Sequence, residues 1–192
     1  GAFLGLEIPP ASREDDATLD ELGAVWDVLE DAALQQRIAA SIAAGKVVAV
    51  ARGRAEFGPR ALGARSILGD ARLPQMQSHM NLKIKFRESF RPFAPMVLAE
   101  DARDYFDTTQ ESPYMLLVYP VTARRRIAAE DGGLTGIDLL KVPRSEIPAV
   151  THVDHSARVQ TLDAERNPFM TAVIRRFKEL SGCPVLINTS FN

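Results

Sequence analysis

Gly45 constrains the architecture more than any other residue, because a helical repeat stops there and a strand must begin directly after it. Leu34, Ile38 and Ile42 recur at helical spacing among alanines from Asp31, a candidate N-cap, and a glycine readily takes the left-handed conformation that ends a helix. The next six residues, Lys46-Val47-Val48-Ala49-Val50-Ala51, are apolar and β-branched, which predicts a short buried strand reached by a tight turn. Helix and strand so close together call for a layered fold in which one covers the other.

The rest of the chain extends that pattern without strict alternation. Pro74 opens a short helix over Gln75–Asn81, and the prolines of Phe90–Pro95 predict extended backbone from Ile84 onward. Tyr114–Tyr119 reads as a second buried strand, and polar, glycine-containing Thr122–Pro148 as a long surface loop. Alternation on either side of Asp154-His155-Ser156 predicts two short strands joined by a turn, over 149–153 and 157–161. Asn167-Pro168 starts a helix through Met170, Val173, Ile174 and Phe177 to Gly182, and Pro184–Asn188 is a final strand. No period runs through residues 1–16, so residues 1–30 are expected to be an N-terminal linker or extension and 31–192 one domain. The expected class is α/β (α+β), with a twisted mixed sheet flanked by helices.

Bulk properties narrow the function. Lys and Arg number 23 against 25 Asp and Glu, so the net charge of −2 gives no global attraction to nucleic acid or anionic membrane, and anion binding must be local. Cys183 is the single cysteine, which excludes an intrachain disulfide and fits a reducing, cytoplasmic setting. No run reaches the ~20 apolar residues of a membrane span.

Local anion chemistry is concentrated in three places. Lys85 and Arg87 flank Phe86, Ser190 and Asn192 flank Phe191, and Gly58-Pro59-Arg60-Ala61-Leu62-Gly63-Ala64-Arg65-Ser66 sets arginines and a serine between glycines. On extended segments the first two pairs would each project from one face and clamp a phosphate. Lys83, Lys85, Arg87 and Arg91 fall within nine residues with only Glu88 to offset them. A solvated strand face is the simpler account of such cations taken alone, but their apolar neighbours call for an acidic partner or an anionic ligand. Neither a P-loop nor Gly-x-Gly-x-x-Gly is present. His152 with Asp154 has metal-ligand spacing but no acidic cluster to complete a set, so no metal site is expected. Ser66 and Ser190 lack a nucleophile elbow.

The block Gly53-Arg54-Ala55-Glu56-Phe57-Gly58-Pro59-Arg60-Ala61-Leu62-Gly63 resembles the signature of the NodU/CmcH family of O-carbamoyltransferases. Further blocks resemble that family in order: Asn81–Pro95, Ser112–Met115, Pro148–Asp154, Ser156–Thr161 and Pro184–Asn192. The resemblance runs from about Gly45 to the end. It implies a YrdC-like C-terminal domain, here a fragment, whose family pattern continues beyond Asn192 and whose partner is an N-terminal acceptor domain carrying a histidine-bound metal. It further implies that carbamoyl phosphate attacks ATP to give carbamoyl adenylate and pyrophosphate, with Mg2+, before the partner domain passes the carbamoyl group to a small-molecule or oligosaccharide hydroxyl.

By the same resemblance, a Lys-x-Arg and a distant Ser-x-Asn bind phosphate, falling here on Lys85, Arg87, Ser190 and Asn192. Lys85, Arg87 and Arg60 are then the expected catalytic clamp, Arg91 and Arg158 candidates for the carbamoyl phosphate end, and Tyr114 and Met115 for adenine. Two other functions compete. A threonylcarbamoyl-AMP synthase shares the YrdC fold, but Glu56–Gly63 favours the carbamoyltransferase. A non-catalytic nucleotide- or RNA-binding module is opposed, for RNA, by the charge of −2 and 7% aromatic content.

Overall fold

The computed structural model describes residues 2–9, 12–128 and 133–191. Helices α1 (Arg13–Glu21), α2 (Asp31–Ala43), α3 (Pro74–Lys83), α4 (Ala102–Tyr105) and α5 (Pro168–Ser181) accompany strands β1 (Val48–Ala51), β2 (Arg65–Asp70), β3 (Ala94–Leu98), β4 (Leu117–Pro120), β5 (Ser156–Leu162) and β6 (Val185–Thr189). The strands form one mixed sheet in the order β1-β2-β6-β3-β5-β4, antiparallel throughout except for the β3–β5 pair. The class is therefore the mixed α/β expected.

Register decides what faces what. Leu68 and Ala94 both oppose Asn188, and Met96 opposes both Leu186 and Gln160, so Asn188, Ala94, Met96 and Gln160 share one face. Helices α2 and α5 pack together over this face, where Met170 of α5 approaches Met96 at Gly63. On the other face, Met76 and Met80 of α3 lie against Gly69, where a Cβ would come within 2.9 Å of the Met80 sulfur. Ile42, Leu68, Met96, Phe106, Ile174, Phe177 and Leu186 are among the fully buried side chains between these layers. Asn167 caps α5 by accepting the Met170 N–H, and Gly182 ends it at φ +74°. No helix among the described residues is long and apolar enough to cross a membrane.

Four local expectations need correction. Residues 149–153 do not form the first strand of a hairpin: 148–150 is a 3-10 turn with Ala149 and Val150 buried, and only the second segment, β5, pairs. The Tyr114 run joins the sheet only at Leu117, because Met115 stands at φ +55°. Arg13–Glu21, given no element, is helical through a capping box in which Ser12 Oγ accepts the Asp15 N–H and Asp15 accepts the Ser12 N–H at 2.7 Å. The 122–148 stretch is not wholly a surface loop, since Ser145 and Ile147 are buried. Residues 2–8 run beside 53–57, where Gly5 donates to the Ala55 carbonyl and Ala55 to that of Leu6.

Candidate functional site

One cavity of about 160 Å³ gathers most of the expected anion-binding residues. Three adjoining strands supply Ala94, Arg158, Asn188 and Thr189, with Ser190 just past the end of β6, the turn after α3 supplies Lys85 and Arg87, and the glycine-rich loop supplies Pro59, Arg60 and Ala61. Met115 lines it as well. No Asp or Glu is among the described lining residues.

The two basic residues of the Lys85–Arg87 turn are not on a strand. Lys85 N–H donates to the Met80 carbonyl and Arg87 N–H to that of Asn81, so the chain turns back over the end of α3. Phe86 takes φ +48° and is 84% exposed, which throws its ring outward and leaves both neighbours facing the cavity. A bulky residue in the left-handed region carries strain, and Met115, which also lines the cavity, carries it too. Arg87 is held on two sides: its Nε donates to Asn81 Oδ1 at 2.6 Å, and its guanidinium lies 4.9 Å from the centre of the Phe93 ring. Lys85 Nζ donates to the Ser190 carbonyl at 2.8 Å.

The arginine loop is shaped from within by Glu56. Its Oε1 accepts the N–H groups of Leu62 at 2.7 Å, Ala64 at 2.8 Å and Arg65 at 3.1 Å, so one carboxylate closes the turn that presents Arg60. Gly63 sits at φ +112° in that turn, and a Cβ there would come within 2.9 Å of Asn167 Nδ2. Two buried amides then fasten the loop to the sheet. Asn188 Nδ2 donates to the Ala61 carbonyl at 2.8 Å and Gln160 Nε2 to that of Leu62 at 3.0 Å.

The charged side chains among the described lining residues are all cationic. Burial pushes the Lys85 ammonium below the usual lysine range, and nearby Arg87 adds to the effect. Arg87 is lowered by burial and by Arg91, with Glu88 opposing, and Arg158 is lowered by burial and by Arg60. Arg158 Nε is buried without a hydrogen-bond partner. Positive charges that depress one another in a partly dry cavity are the arrangement an anion relieves. A larger cavity of about 420 Å³ also has three arginines, but each already meets a carboxylate: Arg52 Asp31 at 2.7 Å, Arg54 Glu7 at 3.6 Å and Arg166 Glu111 at 2.9 Å.

Arg60, Lys85, Arg87, Arg158, Met115 and Ser190 thus line one cavity, whereas Arg91 and Tyr114 do not. Arg91 pairs with Glu88 at 3.1 Å, and Tyr114 lines a separate cavity of about 290 Å³ with Phe3, Leu62 and Leu162. The apolar cluster of Leu62, Ala94 and Met115 stands between the two. Asn192 lies outside the described residues. Sequence reasoning missed Glu56, Asn81, Gln160 and Asn188 as organisers; the one available signal was an amide inside an otherwise apolar strand, as at Asn188. Among the described residues, no group of three or more His, Cys, Asp or Glu could hold a metal ion.

The sequence model of the family described as Carbamoyltransferase C-terminus matches residues 39–192. An uncharacterised protein of Synechocystis is 50% identical over 194 residues, covering 100% of this chain and 32% of that protein. The nodulation protein NolO of Bradyrhizobium diazoefficiens is 40% identical over 190 residues, covering 95% and 31%. The 3'-hydroxymethylcephem-O-carbamoyltransferase of Streptomyces clavuligerus is 36% identical over 190 residues, covering 99% and 31%. The chain spans about a third of the length of these relatives.

Proposed function

As the chain belongs to the carbamoyltransferase C-terminal family, we propose that its cation-lined cavity forms carbamoyl adenylate from carbamoyl phosphate and ATP. The observation that carries this reading is the meeting of Arg60, Lys85, Arg87 and Arg158, from three separate segments, around a space with no carboxylate among its described lining residues. In the proposed reaction, carbamoyl phosphate gives its phosphoryl group to water, releasing carbamate and inorganic phosphate. A carbamate oxygen then attacks the α-phosphorus of ATP, the bridging bond to the β-phosphate breaks, and pyrophosphate leaves. The attacking oxygen is already anionic, so no general base is needed. Negative charge gathers on the non-bridging oxygens and the leaving pyrophosphate, and fixed cations in a partly dry site stabilise it without reorganising.

Arg60, Lys85 and Arg87 form the clamp, Arg158 holds the carbamoyl phosphate end and Ser190 orients phosphate oxygens. Mg2+ would arrive on the nucleotide's own phosphates. Adenine would lie toward Met115 and, beyond the Leu62 cluster, Tyr114. Transfer of the carbamoyl group to a hydroxyl acceptor would fall to the part of the longer relatives that this chain does not span.

The test is ATP–pyrophosphate exchange by the 192-residue chain with Mg2+, with and without carbamoyl phosphate, beside Lys85→Ala. Exchange should require carbamoyl phosphate and fall ~10²-fold or more in the variant, the ~2–4 kcal/mol that one charged transition-state contact supplies. A folded chain that neither exchanges nor binds ATP or carbamoyl phosphate calorimetrically would sink the proposal.

A further inference from the structure

Among the residues lining the cavity is a buried amide. Asn188 is 1% exposed, lines the cavity, and its Oδ1 has no hydrogen-bond partner. Its orientation is dictated by neighbours. Gln160 Nε2 donates to the Leu62 carbonyl, so Gln160 turns its Oε1 to Asn188, which must answer with N–H at 2.8 Å. The second Asn188 N–H goes to the Ala61 carbonyl. Both hydrogens are committed, and reversing the Asn188 amide would set oxygen against two acceptors. Oδ1 is therefore held as an acceptor without a donor, which buried amides rarely tolerate.

The phosphoryl half of an acyl phosphate cannot satisfy it, since as the dianion that group carries no hydrogen and offers the cavity only acceptors. The arginines and Lys85 answer that half of a ligand, and the unpartnered Arg158 Nε is one more donor for it. What Oδ1 requires is a donor, and an acyl phosphate dianion can bring one only as an N–H on its acyl group. The space of about 160 Å³ is the share of roughly five liquid waters, enough for a phosphoryl group bearing one planar substituent.

We infer that Asn188 is the specificity-determining residue of this site, its Oδ1 accepting an N–H of a carbamoyl group and so selecting an amide-bearing acyl phosphate over its methyl counterpart. This rests on the carbamoyl phosphate reading above. Acetyl phosphate presents the same phosphate and carbonyl but puts a methyl group where the amide nitrogen would be, leaving Oδ1 buried and unpaired. Sites built around a polar group discriminate against an analogue that lacks its partner, and for one neutral hydrogen bond the expected preference is ~10- to 100-fold.

The experiment measures calorimetric affinities of freshly dissolved carbamoyl phosphate, acetyl phosphate and inorganic phosphate for wild type, Asn188→Ala and Gln160→Leu. Wild type should prefer carbamoyl over acetyl phosphate by ~10- to 100-fold. Asn188→Ala should bring that ratio near unity. Gln160→Leu loosens the same loop but keeps Oδ1, so it should weaken all three ligands alike and retain the preference. Should the alanine variant fail to fold, near-isosteric Asn188→Leu fills the same volume without a polar atom and without setting oxygen against the Ala61 and Gln160 acceptors, and it must likewise bring the ratio near unity. A wild-type ratio near unity with inorganic phosphate still bound overturns the role of Asn188 and leaves the cation cavity standing, as does a preference that persists in Asn188→Ala. Binding of none of the three overturns the carbamoyl phosphate reading itself.

Discussion

Glu56→Ala should unfasten the arginine loop, and the cost can be worked out from its three hydrogen bonds. Leu62 and Ala64 are each 5% exposed, so their N–H groups find no easy replacement in water, while Arg65 is half-buried and finds it more readily. Leaving a buried donor without its partner costs about 1–3 kcal/mol, so two such donors and a partly solvated third come to about 3–5 kcal/mol. At about 2–4 °C per kcal/mol for a chain of this size, the melting temperature should drop by roughly 6–20 °C. Glu56→Gln keeps a carbonyl acceptor for the same N–H groups but loses the charge, and charge-assisted bonds are about twice as strong as neutral ones, so its loss should be near half. Thermal and urea melts of the two variants measure this, and phosphate affinity below the transition tests whether Arg60 has lost its place. An alanine variant that melts with wild type, or a glutamine variant as damaged as the alanine one, would refute the reasoning.

Two further outcomes follow from the cavity's charge. The folded-state pKa of Lys85 lies below its unfolded value, so the unfolded chain holds more protons just below the ordinary lysine value of ~10.4, and stability should rise with pH through that window. Lys85→Met should flatten that rise, read from urea midpoints on both sides of that window; a rise that persists in the variant would show that another group causes it. His152 is likewise lowered, by burial and by Arg158 against the pull of Asp154, so its protonation opposes folding and stability should decline as pH falls below the ordinary ~6.5. Its imidazole resonances should titrate below that value in wild type, at higher pH in Arg158→Met and at lower pH in Asp154→Asn; the reverse order would show the causes misassigned.

How far the residues alone lead depends on whether a feature is local. Helices α2 and α5 and strands β1 and β6 were legible, because periodic apolar spacing, an asparagine cap and terminal glycines act within a few residues. Strand β2 was not: Ser66, Gly69 and Asp70 are buried beside Ile67 and Leu68, so both faces are covered and no polar alternation marks it. The hairpin expected over 149–161 failed because β5 finds its partners in β3 and β4, far off in the chain, rather than in the segment just before it.

The site divides in the same way. Which residues carry the positive charge is a matter of sequence, and Arg60, Lys85, Arg87 and Arg158 can be named from it. That they converge depends on a left-handed Phe86, where an extended strand was expected, and on a sheet register that sets Asn188 against Ala94 and Gln160 on the same face. The Glu56 contacts and the fixed amide of Asn188 are tertiary for the same reason: each needs a partner brought close by packing, from six residues away in the loop to 127 residues away at Ala61. Local spacing sets what a segment of chain prefers, but hydrogen-bond direction and burial exist only once distant segments meet.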